Sequence, residues 1–274
     1  MVKTDVLLRF SDCDYCLTND HDIKVASIVI GMPVPKNEFT SFQGSVGQRL
    51  VNHSFDSFPI MLDFDLKVST LDDLVLRETE LRELFSREAE YYFIYSKEPG
   101  KRYPVSLDSI SVTKKAFFMS HFTVSFNVFK GYAESITSTL SDFSLNNEWQ
   151  FSQGLVDGDY KYTHETSRFT IFNAGSFPVD PREVYLKITL QGESGGNATI
   201  FNRTTGERFI YFPEFSTNLG QTVTLDRVYP KLNGVSRGID TNHGLITLVE
   251  GINKIEIQNV ANVKSFWDFR YLYK

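Results

Sequence analysis

The 274-residue chain is poor in the residues that build reactive or metal-binding centres. It has only two cysteines, and its five histidines stand singly in the sequence: His21, His53, His121, His164 and His243. A lone histidine in a β-rich protein is usually a surface or hydrogen-bonded residue. Cys13 and Cys16 form a Cys-x-x-Cys motif, but no second pair follows at metal-ligand spacing. We therefore interpret the thiols as incidental and predict no metal site and no cofactor.

Long apolar runs and an excess of basic residues are also absent. No stretch approaches the roughly 18 apolar residues of a membrane-spanning helix. The first five residues lack the charged leader of a signal peptide, so we expect synthesis in the cytoplasm and no membrane partner. Lys and Arg number 28 against 34 Asp and Glu, a net charge of −6. No basic stripe is present, which argues against nucleic-acid binding.

Catalytic signatures are missing too. The chain has no phosphate-binding loop, and Gly44-Ser45-Val46-Gly47 lacks the spacing of a nucleophile elbow. Asp12 with Asp14, and Asp157 with Asp159, are pairs of carboxylates in turn-like contexts, where Asp bonds to nearby backbone. The second pair lacks the remaining ligands of a calcium loop. We predict no catalytic residues, and a glycan hydrolase using Asp157 and Asp159 is the least favoured hypothesis.

Aromatic residues, by contrast, are abundant: 24 Phe and 13 Tyr make most of a 14% aromatic content. Phe and Tyr favour half-buried strands and protein interfaces. Two segments alternate with period two, Ile60-Leu62-Phe64-Leu66-Val68 and Phe122-Val124-Phe126-Val128, which predicts strands with one buried face. Shorter β-branched or aromatic runs predict further strands at 25–30, 91–95 and 105–112.

One helix is predicted between these strands, over residues 71–89. Thr70 and Asp73 resemble a capping box, and Leu74, Leu81, Leu84 and Phe85 recur at helical spacing as one apolar stripe. Three acid-before-base pairs lie one turn apart and favour a solvated outer face: Asp73–Arg77, Glu78–Arg82 and Glu83–Arg87.

The second half shows short strand patterns separated by turn residues. Residues 131–146 lack either periodicity, so we predict two domains, 1–135 and 136–274. Eight strands are expected in the second, at 168–172, 183–190, 199–203, 207–212, 221–226, 245–248, 254–258 and 265–271. The segment Asn202–Arg208 reads as a hairpin tip. Many short strands without a helix are typical of a β-sandwich or jelly roll, so the chain is predicted to be mainly β.

Carbohydrate binding is the main functional alternative from the residues alone. Sugar sites combine an aromatic ring with amide and carboxylate hydrogen bonds. Trp149, Tyr160 and Tyr162 are the candidate rings for such a site. Trp267 lies in the apolar run Phe266-Trp267-Asp268-Phe269, and we predict that it is a core residue.

Three features, taken in order, resemble the distal tail proteins (Dit, the siphovirus tail component family) of phages infecting Gram-positive bacteria. The first is a series of strands with one charged helix near 71–89, ending in Ser125-Phe126-Asn127-Val128-Phe129-Lys130. The second is Ser167-Arg168-Phe169-Thr170-Ile171-Phe172-Asn173-Ala174-Gly175 followed by Glu183-Val184-Tyr185-Leu186-Lys187-Ile188. The third is the ending, residues 248–257 and then Phe266-Trp267-Asp268-Phe269-Arg270-Tyr271-Leu272-Tyr273.

The resemblance implies a structural, non-enzymatic protein of the virion tail tip. It implies that residues 1–135 form a hexameric ring and that residues 136–274 form a galectin-like β-sandwich. The expected partners are five further copies of the chain, the major tail tube protein, the tail-associated hub or lysin protein and, in some phages, receptor-binding proteins. Larger members carry inserted carbohydrate-binding modules, for which this chain has no room. The residues of the ring interface are not readable from the sequence.

Overall fold

A computed structural model describes residues 6–44, 46–141 and 160–274. The chain divides into two compact units, residues 1–134 together with Lys274, and residues 135–273. Both units are built mainly from antiparallel strands. Among the described residues, no helix has the length and apolar character that crossing a bilayer requires.

The N-terminal unit contains ten strands and one helix in its described part, the last strand reaching Ser135. They are β1 (Val6–Arg9), β2 (Asp14–Cys16), β3 (Ile23–Ile30), β4 (Val34–Thr40), β5 (Arg49–Asp56), β6 (Phe58–Lys67), α1 (Leu71–Phe85), β7 (Tyr91–Tyr95), β8 (Lys101–Ala116), β9 (Met119–Val128) and β10 (Ala133–Ser135). Seven of these strands follow one another in the order β2-β1-β7-β8-β9-β6-β3. Strands β4 and β5 form a separate two-stranded sheet.

The core of this unit lies on the apolar face of β6 and β9. The two strands pair antiparallel with Phe64 opposite Phe122, and these rings stack with centroids 4.8 Å apart. Phe58, Ile60, Leu62, Phe64 and Leu66 are all buried, as are Phe122, Val124, Phe126 and Val128 of β9. The period-two prediction for both strands is confirmed, because alternate side chains of a strand point to opposite faces.

Helix α1 covers this apolar face. The Thr70 hydroxyl oxygen accepts a hydrogen bond from the backbone N–H of Asp73 at 3.2 Å, which confirms the predicted N-cap. The buried stripe consists of Leu74, Glu78, Leu81 and Phe85, whereas Leu84 is only half-buried. The Phe85 ring contacts Phe64 with centroids 6.1 Å apart.

The helix ends at Phe85 instead of the predicted residue 89. Arg87 leaves the helical path because its side chain binds Asp12 at 2.7 Å and lies over the Phe10 ring. The predicted pairing of Arg87 with Glu83 was therefore wrong. Arg77 likewise binds Asp20 and Glu80 instead of Asp73, and of the three predicted pairs only Glu78–Arg82 is present.

The C-terminal unit contains two facing sheets among its described residues. Its strands are β11 (Thr163–His164), β12 (Arg168–Asn173), β13 (Leu186–Ser194), β14 (Ala198–Asn202), β15 (Arg208–Tyr211), β16 (Phe215–Ser216), β17 (Val223–Asp226), β18 (Tyr229–Leu232), β19 (Val235–Ser236), β20 (Gly251–Gln258), β21 (Ala261–Phe269) and β22 (Leu272–Tyr273). One sheet has the order β11-β21-β13-β17-β18-β19, with β16 beside β13, and the other has the order β12-β20-β14-β15. Trp267, on β21, is completely buried, as predicted. The mainly-β class, with one helix and a C-terminal sandwich, is confirmed.

Seven of the eight strands predicted for this half overlap an observed strand. The prediction for residues 245–248 was wrong: the segment makes only an isolated bridge, between Val179 and Leu248. Its backbone is held by side chains instead, since Thr247 N–H donates to Glu207 at 2.6 Å and Thr247 O accepts from the Asn202 amide at 2.7 Å. These bonds replace a strand ladder.

Candidate assembly surfaces

A β-hairpin stands apart from the main sheet of the N-terminal unit. It consists of β4 and β5, which pair with each other and with no other described strand. Nearly every residue of the two strands is exposed. A two-stranded hairpin in water is at best marginally stable by itself, so such an element gains order when a third surface covers it.

Exposed apolar side chains cluster near the hairpin tip. Phe39 lies directly opposite Leu50 in the register of the two strands, and they are 56% and 49% exposed. Val51 follows Leu50, at the point where the pairing register of the two strands shifts by one residue, and it is also exposed. A cross-strand apolar pair stabilises a hairpin, but water covers this pair on its outer side. We call Phe39, Leu50 and Val51 the hairpin surface.

Both outer edges of this hairpin are open among the described residues. Each strand uses one edge for its partner, which leaves a row of backbone N–H and C=O groups on the other. Exposed edges of this kind pair readily with a strand from another chain. The hairpin therefore offers both an apolar contact and a hydrogen-bonding edge.

A second apolar surface lies at the turn between β8 and β9. Phe117 and Phe118 form this two-residue turn, and Phe117 is 86% exposed. Two-residue hairpin turns usually carry Asn, Asp or Gly, because those residues suit the turn geometry and water. Two exposed phenylalanines break that local rule without any benefit to the turn. Such departures are expected where a residue serves a contact outside the subunit.

The start of α1 adds to this second surface. The backbone N–H of Val68 donates to the carbonyl of Phe118 at 3.0 Å, which fixes the turn beside the approach to the helix. Leu71 and Val75 follow in the first two turns of α1 and are exposed. We call Leu71, Val75, Phe117 and Phe118 the end surface.

The two surfaces belong to elements that adjoin opposite ends of the same strand, β6. The hairpin joins the first residue of β6, and α1 follows its last. The turn of Phe117 and Phe118 lies at that last end too, since Met119 pairs with Lys67. Ten residues of strand span about 33 Å. One subunit therefore carries two different apolar surfaces, on elements that adjoin the two ends of this strand.

The sheet that contains β6 also has a polar face. On it, Asp65 accepts hydrogen bonds from Lys115 at 2.8 Å and from His121 at 2.7 Å. The bond from Lys115 outweighs the effect of partial burial and holds the pKa of Asp65 below its usual value. Ser27 donates to Asp63 at 2.7 Å and lowers the pKa of that carboxyl in the same way. These acids are engaged in holding neighbouring strands, and both are ionised at neutral pH.

The residues predicted for carbohydrate binding are placed differently from one another. Trp149 lies outside the described residues. Tyr160 is 37% exposed and stacks on Phe172, with centroids 4.2 Å apart. Tyr162 is only 9% exposed, and its hydroxyl donates to the carbonyl of Phe172 at 2.8 Å. The ring of Tyr162 is part of the core and has no open face for a sugar.

The remaining candidates do not form a reactive centre within the described residues. Cys13 and Cys16 are both free thiols, and no described group of three His, Cys, Asp or Glu side chains is placed to hold a metal ion. Asp14 forms a salt bridge with Arg9 at 3.0 Å across the β1–β2 pair. Asp157 and Asp159 lie outside the described residues.

Sequence reasoning missed both apolar surfaces. Residues 34–56 show no clear alternation, because both faces of the hairpin are exposed and nothing selects apolar residues for one of them. The end surface left a signal that could have been found: the run Phe117-Phe118 joins two period-two strands at a place where a turn should be polar.

Comparison with known proteins gives the class. Residues 13–128 match the family described as the phage tail protein RIFT-related domain. This range covers β2 to β9, including the hairpin surface and the end surface. The N-terminal unit thus matches a phage tail protein domain over most of its length. No curated protein matches the sequence significantly.

The full length of the chain resembles solved tail structures. The SPP1 Dit protein, described as a paradigm of the hub adsorption apparatus in phages infecting Gram-positive bacteria, superposes with a TM-score of 0.70 at 12% identity, over 97% of this chain and 99% of that one. The phage P2 baseplate in its activated conformation with Ca matches at 10% identity with a TM-score of 0.49, over 100% of this chain and 99% of that one. The same baseplate with Sr matches at 10% identity with a TM-score of 0.46, over 97% of each chain. The family match and the fold shared with SPP1 Dit bear out the predicted resemblance to siphophage distal tail proteins.

Proposed function

We propose that the chain forms a hexameric ring at the phage tail tip, in which the hairpin surface of each copy docks on the end surface of the next. The observation that carries this proposal is the presence of two different apolar surfaces, on elements that adjoin opposite ends of β6. A head-to-tail contact needs two unlike patches on one subunit, and it closes into a ring when the rotation between copies is a fraction of a full turn. The number six comes from the resemblance to distal tail proteins.

The composition of the two surfaces supports docking between copies. Aromatic residues supply large contact areas at the centre of protein interfaces. Each surface has an exposed phenylalanine: Phe39 on the hairpin is 56% exposed, and Phe117 on the turn is 86% exposed. Covering each would remove apolar side chains from water, and the open edges of β4 and β5 could add backbone hydrogen bonds.

In the phage, this ring would join the tail tube to the tail-associated hub protein. The N-terminal unit, corresponding to the predicted domain 1–135, would supply the ring. The C-terminal sandwich, corresponding to 136–274, would project as the attachment domain, including for receptor-binding proteins. In this function the chain works by assembly and needs no catalytic residue or cofactor.

Light scattering and negative-stain electron microscopy of the purified full chain test the proposal. We expect a mass close to six subunits and annular particles. A chain that stays monomeric at high concentration, and never gives annuli in any buffer, would contradict it. Tail tube protein and hub protein, added separately, should each bind the ring at a different face in a pull-down.

A further inference from the structure

A small pocket on the C-terminal sandwich lies away from both assembly surfaces in the sequence. It has a volume of about 170 Å³ and is lined by Tyr160, Lys161, His164, Thr170 and Phe172. Full ligand pockets are usually about 300 Å³ or larger. A pocket of this size suits one ring or one acidic group of a larger molecule.

An aromatic platform forms one wall of this pocket. The Tyr160 and Phe172 rings are nearly parallel, with 13° between their planes. Phe172 belongs to β12, and its carbonyl is held by the hydroxyl of the buried Tyr162. Burial raises the pKa of Tyr162 to about 12, so this donor keeps its proton at all ordinary pH values. The platform is therefore rigid, while Tyr160 remains 37% exposed.

Polar groups line the opposite side. His164 stacks on Phe169 with centroids 4.0 Å apart, and its Nε2 lies 2.8 Å from the carbonyl of Lys161. A carbonyl can only accept, so Nε2 carries the proton, and Nδ1 of the neutral ring is an acceptor. Burial lowers the pKa of His164, which keeps the ring neutral at pH 7. Thr170 adds an exposed hydroxyl.

The charge of the lining favours an anion. Lys161 is the only charged side chain among the lining residues, and no carboxylate lines the pocket. The Lys161 side chain is exposed. A cation beside an exposed aromatic ring matches a sugar ring that carries an acidic group, because the ring can stack on tyrosine while the acid binds the ammonium.

We propose that this pocket is a subsite for one anionic sugar unit of a glycan, with Tyr160 as the stacking platform and Lys161 as the partner of the acid. His164 and Thr170 would bind sugar hydroxyls. The acid can be a carboxylate or a phosphate ester. The pocket belongs to the C-terminal unit and the proposed ring interface to the N-terminal unit, so the two sites share no residue and can be tested separately.

Saturation-transfer NMR on the full-length protein tests this with three probes: glucuronic acid, glucose 6-phosphate and glucose. We expect signals from one or both acids and weaker binding of glucose. The acid that binds distinguishes a uronate from a phosphorylated sugar. Inorganic phosphate, which has no proton to observe, is added as a competitor; if it displaces the acids as effectively as they displace each other, the platform has no role and the proposal is overturned. Absence of signal from both acids also overturns it.

Three variants locate the site. Tyr160→Ala should weaken binding of the acid about three- to tenfold, the range of an aromatic contact, whereas Tyr160→Phe should retain it. Lys161→Ala should abolish the preference for acid over glucose without affecting the fold, since its side chain is exposed. Tyr229→Ala removes an exposed tyrosine elsewhere on the same unit and is the matched control. If the Tyr160→Ala variant does not fold, Lys161→Ala is the deciding test. An unchanged preference for acid over glucose in Lys161→Ala would contradict the assignment of this pocket.

Discussion

Ser120 donates a 2.6 Å hydrogen bond to the carboxylate of Glu78, and both residues are buried between α1 and the sheet. Glu78 occupies the apolar stripe of the helix, between Leu74 and Leu81, and Arg82 is its other partner at 3.4 Å. A buried carboxylate is tolerated only when hydrogen bonds replace water. The Ser120 hydroxyl therefore matters more to stability than its small size suggests.

Removing that hydroxyl should destabilise the N-terminal unit. We expect Ser120→Ala to lower the free energy of unfolding by about 1–3 kcal/mol, because the carboxylate loses a buried donor. Glu78→Leu combined with Ser120→Ala should be neutral or stabilising, since it replaces both buried polar partners with apolar side chains. Urea unfolding measures both. Ser111→Ala, on the exposed face of β8, is the control; an equal loss in all three variants would refute the argument.

The hairpin surface should control assembly without controlling folding. We expect Leu50→Asp to convert the oligomer to smaller species, because a charge placed in an apolar contact must lose its water. Its melting temperature as a monomer should be almost unchanged, since Leu50 is exposed. Light scattering at several concentrations measures the effect. Val235→Asp, an exposed apolar position of the C-terminal unit, should assemble normally.

Mixing two defective variants distinguishes a head-to-tail contact from a symmetric one. Leu50→Asp and Phe117→Asp should each fail to form rings alone. When they are mixed, the intact hairpin of the second should dock on the intact end surface of the first, giving a 1:1 dimer that cannot grow. Native mass spectrometry of differently tagged chains measures this. Failure of the mixture to form any heterodimer, with both chains folded, would count against the pairing.

Acid should weaken the N-terminal unit through Asp20. Burial alone would raise the pKa of this carboxyl, but hydrogen bonds from the Tyr15 hydroxyl (2.8 Å) and the Asp22 N–H (3.1 Å), with the charge of Arg77, hold it below its usual value. A carboxyl whose pKa is lower when folded stabilises the fold above about pH 4, its unfolded pKa, and loses that stabilisation as the pH falls further.

We expect Asp20→Asn to cost about 1–2 kcal/mol at pH 7 and to flatten the loss of stability below pH 4. Chemical unfolding at pH 7, 4 and 3 measures the slope. Asp72→Asn removes an exposed carboxylate of α1 and serves as the control. A variant as acid-sensitive as the parent would show that Asp20 is not responsible.

The C-terminal sandwich should depend on one buried asparagine. The Asn253 side chain accepts from Val249 N–H at 2.9 Å, donates to the Val249 carbonyl at 2.8 Å, and is fully buried. Asn253→Ala should cost about 2–3 kcal/mol, or roughly 5–10 °C in melting temperature. Differential scanning calorimetry measures it, with the exposed Asn218→Ala as the control. A decrease in melting temperature no larger than that of the control would show that the Asn253 side chain does not stabilise the sandwich.

Several elements could be predicted because their signals are local. The strands β6 and β9 follow from strict alternation, since a strand with one buried face must place apolar residues at every second position. The start of α1 follows from Thr70, whose hydroxyl caps the first turn. The end of α1 could not be predicted from a local signal, because Arg87 binds Asp12 and lies over Phe10, residues more than 70 positions earlier in the chain.

Residues 245–248 also show that distant contacts limit prediction from the sequence, here for a predicted strand that does not form. Their apolar pattern is that of a strand, and Ile246 and Leu248 are indeed buried. Whether they join a ladder depends on which groups meet their backbone, and those groups come from Asn202, Glu207 and Asn253. A sequence pattern predicts which residues are buried, but it does not identify the hydrogen-bond partners that come from distant parts of the chain.

By itself, the sequence determined a mainly-β chain with one capped helix, a buried Trp267 and a tail-protein resemblance, because alternation, capping and apolar content act over a few residues. Only the tertiary structure decided that Phe39 lies opposite Leu50 in an exposed hairpin, that Phe117 and Leu71 lie beside the last residues of β6, and that Tyr160 is exposed while Tyr162 is buried. These are relations between strands far apart in the chain, and the register and packing that fix them are properties of the folded sheet.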